Sequence, residues 1–115
     1  MTNEQKKEVY KKIVVKRDEG KDLSFSGMCI ASSSDRENNS TRWTDCSIYK
    51  TAKGNYIYGE ERLTMWTGEH DVFSAEKFES LEKLFAWLEG ENEPYGGAAK
   101  ELAEQCGFDL TEHVD

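Results

Sequence analysis

Residues 78–90, FESLEKLFAWLEG, decide the fold of this chain. Their large aliphatic and aromatic residues recur at i, i+3, i+4 and i+7, the spacing of one face of an α-helix: Leu81, Leu84, Phe85 and Leu88. Ser80 stands where an N-cap belongs, and Gly90 stands where a left-handed C′ residue would end the helix. Because the segments before this helix alternate like strands, we expect its apolar face to lie across a sheet.

Five segments before the helix have β-strand patterns: residues 13–16, 23–31, 43–49, 56–66 and 70–73. We expect a bulge at Gly27, a kink at Gly59 and a long polar loop over residues 32–40. Residues 52–55, AKGN, predict a tight hairpin turn in which Gly54 takes a positive φ.

A second helix is predicted after Pro94, which ends the first. Its apolar residues repeat the same helical spacing: Ala99, Leu102, Ala103 and Cys106. Gly107 is its expected C′ residue, and Phe108 is placed for the hydrophobic contact that follows such a cap. Residues 1–115 are therefore expected to form one α+β domain. It is an antiparallel β-meander of four to five strands with two C-terminal helices on one face, and residues 1–12 are a short helix or a frayed lead-in.

The charge of the chain is divided unequally between its halves. The net charge is −8, made up of +3 over residues 1–58 and −11 over residues 59–115. A strongly acidic surface repels nucleic acids and anionic membranes and attracts basic proteins. We therefore expect a basic protein partner rather than a nucleic acid or a membrane.

The cysteine content predicts a reducing compartment. Cys29, Cys46 and Cys106 are an odd number without paired spacing, so free thiols are expected, although a Cys29–Cys46 disulfide stays open. No apolar run approaches the ~20 residues that span a bilayer, and no apolar stretch follows the first lysines as in a secretory signal. These features predict a cytoplasmic protein.

Motifs that carry chemistry are absent from the sequence. There is no glycine-rich phosphate loop and no nucleophile elbow, and neither histidine, His70 or His113, has the cysteine or histidine spacing of a zinc site. Glu60 and Glu61 point to opposite faces of a strand, which is unsuited to one acid–base site. A cysteine–histidine pair assembled by the fold stays open. The expectation is a non-enzymatic protein without metal or cofactor.

The aromatic residues of the predicted sheet have two interpretations. Either they form an exposed surface that stacks on bases or anchors a partner, or they form the core face under the helices, which we favour. The residues concerned are Trp43, Tyr49, Tyr56, Tyr58 and Trp66.

Residues 48–56, IYKTAKGNY, together with the later Phe108-Asp109-Leu110, resemble the small bacterial proteins of the EXLDI family. Members of that family have a Y-[RK]-T-A-x-G hairpin and an acidic, apolar C-terminal signature. Here the signature itself is missing, since the chain ends in LTEHVD. The resemblance implies a bacterial or phage-like origin and no catalytic residue.

The function predicted from these features is a small acidic binding protein of the inhibitor, immunity or anti-defence type. Its docking surface is predicted to be a stripe of glutamates on the two helices: Glu76, Glu79, Glu82, Glu89, Glu101 and Glu104. Two alternatives stay open. One is a small enzyme or ligand carrier with a pocket between sheet and helices. The other is a nucleic-acid binder that uses the basic residues between Lys6 and Lys21 together with the sheet aromatics.

Overall fold

The computed structural model describes residues 9–111, which form one five-stranded antiparallel sheet followed by two helices. The elements are β1 (Lys11–Val15), β2 (Leu23–Ser34), β3 (Arg42–Thr51), β4 (Tyr56–Thr64), β5 (Val72–Phe78), α1 (Leu81–Trp87), a π-helical turn (Leu88–Asn92) and α2 (Ala98–Cys106). Each strand pairs with the next in sequence, so the predicted α+β meander is confirmed. Lys11 and Lys12 belong to β1, and the start of the predicted lead-in lies outside the described residues.

The second strand differs from its prediction in length and in the position of its bulge. β2 continues through Ser34, three residues into the expected polar loop. The register shift against β3 falls between Cys29 and Ala31 rather than at Gly27. At Gly27 a β-carbon would lie 2.6 Å from the carbonyl oxygen of Lys50 and 2.9 Å from the ring of Phe25. Glycine is therefore needed there for close packing and not for a bulge.

The boundaries of the last two strands also differ from the prediction. β4 ends at Thr64, and β5 spans Val72–Phe78, so the fifth strand continues almost to the helix. Cross-strand hydrogen bonds outweigh the weak strand pattern of residues 74–78, because β5 pairs with β4 along its whole length. The predicted hairpin turn between β3 and β4 is confirmed, with Gly54 at φ 91°.

The helices cover one face of the sheet, as predicted. Leu84, Phe85 and Leu88 are at most 1% exposed and pack with Leu102 of α2. The residues that the sheet contributes to this core alternate along β2, β3 and β4: Ala31, Cys46, Ile48 and Tyr58. The helical periodicity therefore identified the buried side of both helices correctly.

Two of the three predicted helix caps are confirmed. The Ser80 hydroxyl accepts a hydrogen bond from the Lys83 amide. Gly107 is left-handed, and the next amide, that of Phe108, donates to the carbonyl of Ala103 at 2.9 Å, which is a Schellman motif. The prediction for Gly90 is wrong, because the chain continues through the π-helical turn and the positive φ falls at Glu91.

The face of the sheet away from the helices is concave. Val15 of β1 approaches Gly59 of β4, where a β-carbon would lie 3.1 Å from Val15 Cγ1. The amide of Asp18 donates to the carbonyl of Phe73 at 2.8 Å, and the amide of Phe73 donates back to the Asp18 carboxylate. Because β1 is not a neighbour of β4 or β5 in the sheet, these contacts mean that the sheet curls until its two edges nearly meet.

Candidate functional site

The outer layer formed by β5 and the two helices is strongly acidic. Residues 74–111 contain nine Asp and Glu and three Lys, a balance of −6. All nine carboxylate residues are exposed. We call this surface the acidic layer. The last turn of α2 contains no basic residue, so the partial negative charge at that helix end adds to the field.

The six predicted docking glutamates are all exposed, but they do not form one helical stripe. Glu79 precedes α1 and is ion-paired with Lys83 at 2.8 Å, which lowers the pKa of its carboxyl. Glu101 accepts a hydrogen bond from the Ser33 hydroxyl at 2.5 Å. Among the described residues, the remaining four have no lysine or arginine within ion-pair distance: Glu76, Glu82, Glu89 and Glu104. They are the groups that are available to a partner.

A row of polar side chains lies beneath the helices. Ser33, Cys46 and Glu60 are directly opposite one another on β2, β3 and β4, and each is at most 8% exposed. The Tyr58 hydroxyl donates to Glu60 at 2.7 Å, and Arg62 Nε donates to the other carboxylate oxygen at 2.9 Å. The buried carboxylate is therefore both paired and hydrogen-bonded, as a buried charge must be.

The row of polar side chains is covered by α2 and by the segment that precedes it. The hydroxyl of Tyr95 shares a hydrogen bond with that of Ser33, which also donates to Glu101. Burial raises the pKa of the Cys46 thiol to about 11, and it raises that of the Tyr58 hydroxyl well above its ordinary value, helped by the hydrogen bond to Glu60. Near pH 7 this thiol is protonated, which disfavours it as a nucleophile. The row ties α2 to the sheet.

The structure separates the five predicted sheet aromatics. Tyr56 and Tyr58 belong to the core under the helices, where the Tyr58 ring meets Trp87 edge-on at 5.5 Å. Trp43 and Tyr49 alternate with the buried Cys46 and Ile48 along β3 and so lie on the concave side. Trp66 lies in the loop after β4 and is 53% exposed. Each of the two interpretations therefore holds for only part of the set.

An exposed aromatic and cationic surface lies where the β2–β3 and β4–β5 loops meet; the sequence analysis named two of its residues, Trp43 and Trp66, but not the arginines that stack on them. Arg36 stacks over Trp43 at 3.9 Å, and Arg42 lies over Trp66 at 5.6 Å. We call this the loop-end surface; its members are Arg36, Arg42, Trp43, Met65, Trp66 and Val72. The sequence could have indicated that these two loops lie together, because in a meander alternate loops leave the sheet at the same end.

The loop-end surface borders an open cleft of about 560 Å³. Arg42 forms a bidentate ion pair with Glu69, whose other partner is the Thr64 hydroxyl. These bonds lower the pKa of the Glu69 carboxyl to about 2. The pair links β3 to the β4–β5 loop and places the guanidinium of Arg42 beside the Trp66 ring.

The structure also shows how the candidate metal ligands, the cysteines and the clefts are arranged in the described part of the chain. No group of three or more His, Cys, Asp or Glu there is arranged to hold a metal ion, and His113 lies outside it. Cys29, Cys46 and Cys106 are all unpaired. The five clefts that we describe are lined by strand and loop residues, not by helices, so none lies between sheet and helices.

Comparison with known proteins gave no match: no family model fits the chain, and no curated protein or solved structure is significantly similar to it. Among residues 9–111, no helix has the length and apolar character needed to cross a membrane.

Proposed function

We propose that this protein is a non-enzymatic binding protein whose acidic layer docks on a basic surface of another protein. The observation that carries the proposal is the excess of carboxylates over residues 74–111, where nine exposed Asp and Glu outnumber three lysines. Clustered carboxylates steer a basic partner towards the surface and imitate the phosphates of nucleic acid. An inhibitor, immunity or anti-defence protein that covers a nucleic-acid-binding surface would use such a layer.

The helices of the acidic layer are packed firmly on the core, which suits a docking surface. Its helices are anchored by Leu84, Leu88 and Leu102, which are fully buried. Because its unpaired glutamates lie on elements that are packed against the core, a partner would order few backbone groups on binding.

A matched pair of charge reversals tests the proposal. Glu82→Lys with Glu104→Lys changes two unpaired glutamates of the acidic layer. Glu19→Lys with Glu61→Lys makes the same charge change at exposed positions elsewhere. Each protein is immobilised, a stoichiometric partner is captured from an extract of the source cells, and association with the purified partner is then timed.

We expect the acidic-layer variant to associate at least about tenfold more slowly than the control variant, and added salt to slow the wild type in the same direction. A partner that binds both variants equally fast would exclude the acidic layer.

A second candidate is docking through the loop-end surface. Trp and Arg are enriched in interface hot spots, and Met is enriched in interfaces generally; Met65 and Trp66 are 65% and 53% exposed. Trp66→Ala would then weaken the captured complex by about thirtyfold, the effect of losing ~2 kcal/mol. If a fluorescent oligothymidine bound the wild type but not this variant, the surface would instead belong to single-stranded nucleic acid.

A further inference from the structure

A cleft of about 410 Å³ opens beside the β3–β4 hairpin, on the concave side of the sheet. Its volume is within the range of small-molecule sites. Leu23, Phe25 and Ile57 supply the apolar part of its lining, and Lys53, Asn55 and Lys77 supply polar groups. One lining residue, Lys77, belongs to the segment of the acidic layer, but the cleft opens on the side of the sheet that the helices do not cover, and none of the four unpaired glutamates lines it. A ligand of the cleft therefore does not depend on the proposed function.

The apolar wall of the cleft is built by packing within the curled sheet. Because Gly27 has no side chain, the Phe25 ring lies close against β2 and meets Tyr49 edge-on at 5.7 Å. Ile57 is 3% exposed, although it lies on the opposite face from the main core. Ile57 is therefore already covered, and the apolar surface that a ligand could remove from water is that of Leu23 and Phe25, which are half-buried.

The charge of the lining is opposite to that of the molecule. The lining contains two lysines and no carboxylate, whereas each of the four other clefts is lined by at least one Asp or Glu. Lys77 is directly opposite Ile57 in the register of β4 and β5, which directs its side chain to the cleft side. Among the described residues, neither lysine has a carboxylate within ion-pair distance, and the nearby Glu79 is paired with Lys83.

We propose that this cleft binds a small amphipathic carboxylate, with its aliphatic part against Leu23, Phe25 and Ile57 and its head group between Lys53 and Lys77. A chain with a net charge of −8 repels anions in general. Two ammonium groups beside an apolar wall, with no carboxylate of the described residues within ion-pair distance, are therefore the feature that selects this ligand class. The side-chain amide of Asn55 supplies a further donor for the carboxylate, since its backbone amide already donates to the Thr51 hydroxyl.

Titration of the ¹⁵N-labelled full chain with octanoate tests the site. 1-Octanol and octylammonium serve as neutral and cationic ligands with the same aliphatic chain. We expect saturable shifts with octanoate at the amides that line the cleft, among them Ser26, Ala52 and Lys77, weaker shifts with octanol, and none with octylammonium.

Charge-removing variants test the role of the two lysines. Lys53→Met with Lys77→Met keeps the aliphatic stems and removes both charges, and Lys100→Met on α2 is the matched control. We expect the double variant to lose octanoate affinity by about tenfold or more and to keep its octanol affinity, while the control binds like the wild type. The proposal fails if octanoate does not saturate, if octylammonium binds equally well, if the shifts map outside the cleft, or if the double variant retains its affinity.

Discussion

Gly27 shows how one residue sets the packing of the concave face. A β-carbon at this position would meet the Lys50 carbonyl oxygen at 2.6 Å and the Phe25 ring at 2.9 Å. The carbonyl belongs to the backbone of the neighbouring strand, so it yields little. We predict that Gly27→Ala lowers the free energy of unfolding by about 1–3 kcal/mol, the usual cost of overpacking. Urea denaturation followed by circular dichroism measures it.

Gly90→Ala is the control for this substitution. Its β-carbon would meet no atom within 4 Å, and its φ is not positive. We expect a change within about 0.5 kcal/mol, as for other surface substitutions. Equal destabilisation by the two variants would mean that the contacts at Gly27 do not limit β2.

The three thiols differ in their surroundings, although the sequence shows them only as isolated cysteines. Cys29 is exposed, while burial raises the pKa of the Cys46 and Cys106 thiols to about 11. Since the thiolate is the reactive form, these two groups should react slowly at pH 8 and faster as the pH rises towards 11.

We predict that iodoacetamide labels Cys29 first in the native protein, with Cys46 the slowest because it is 1% exposed. Peptide mass spectrometry at successive times gives the order. The denatured protein, in which all three should react alike, is the control. Labelling of Cys46 as fast as Cys29 in the native state would contradict the burial of the polar row.

At the scale of elements, α1 is stabilised by the packing of its apolar face and not by its own backbone hydrogen bonds, because it is short. A helix of seven residues is unstable alone, so its stability comes from packing on the sheet. Leu84 is fully buried at the centre of that face. We predict that Leu84→Ala costs about 2–5 kcal/mol in unfolding free energy, the range for a buried leucine.

Glu82→Ala on the same helix is the matched control, because Glu82 is exposed and makes no ion pair within the described part of the chain. Denaturant melts of both variants should give a large loss for Leu84→Ala and less than about 0.5 kcal/mol for Glu82→Ala. A loss below that value for Leu84→Ala would mean that α1 does not depend on this contact.

At the scale of the whole molecule, the curl of the sheet depends on a short link between its edges. Asp18 exchanges two hydrogen bonds with Phe73, one from each backbone amide, although the residues are 55 positions apart. Asp18→Ala removes only the bond to the carboxylate. We predict that the Phe73 amide then exchanges its hydrogen at least about tenfold faster, because a lost bond of ~1.4 kcal/mol is tenfold in an equilibrium constant.

The amide of Leu84 in α1 is an internal control for this measurement, since it is bonded to the Ser80 carbonyl at the start of the helix and not to the edge of the sheet. Unchanged exchange at Phe73 in Asp18→Ala would show that the curl does not need the link. Equal acceleration at both amides would show a general loss of stability instead.

Charge is also organised over the whole molecule. Residues 9–34, which form β1, β2 and the turn between them, contain five Lys or Arg and three Asp or Glu, a balance of +2, against −6 for residues 74–111. The two proposed sites do not follow this division along the chain, because Lys53 lies outside both segments and Lys77 lies within residues 74–111. The acidic layer is assigned to a basic protein, and the cleft with Lys53 and Lys77 to a small anion.

The sequence by itself determined the features that depend on neighbours along the chain. The helical faces around Leu84 and Leu102, the N-cap at Ser80 and the C′ residue Gly107 all follow from spacing within one or two turns. The meander was predictable for the same reason, because short turns such as residues 52–55 leave antiparallel pairing as the simplest arrangement. The exposure of the helix glutamates follows from the same periodicity.

Only the tertiary structure decided the features that depend on contacts between distant residues. The hydrogen bond between Ser33 and Glu101 joins residues 68 positions apart. The curl of the sheet involves the hydrogen bonds between Asp18 and Phe73. The absence of carboxylates from the cleft lining depends on which side chains β2, β4 and β5 direct to one place. Such contacts are selected by burial and hydrogen bonding of the folded chain as a whole, and local sequence patterns carry no record of them.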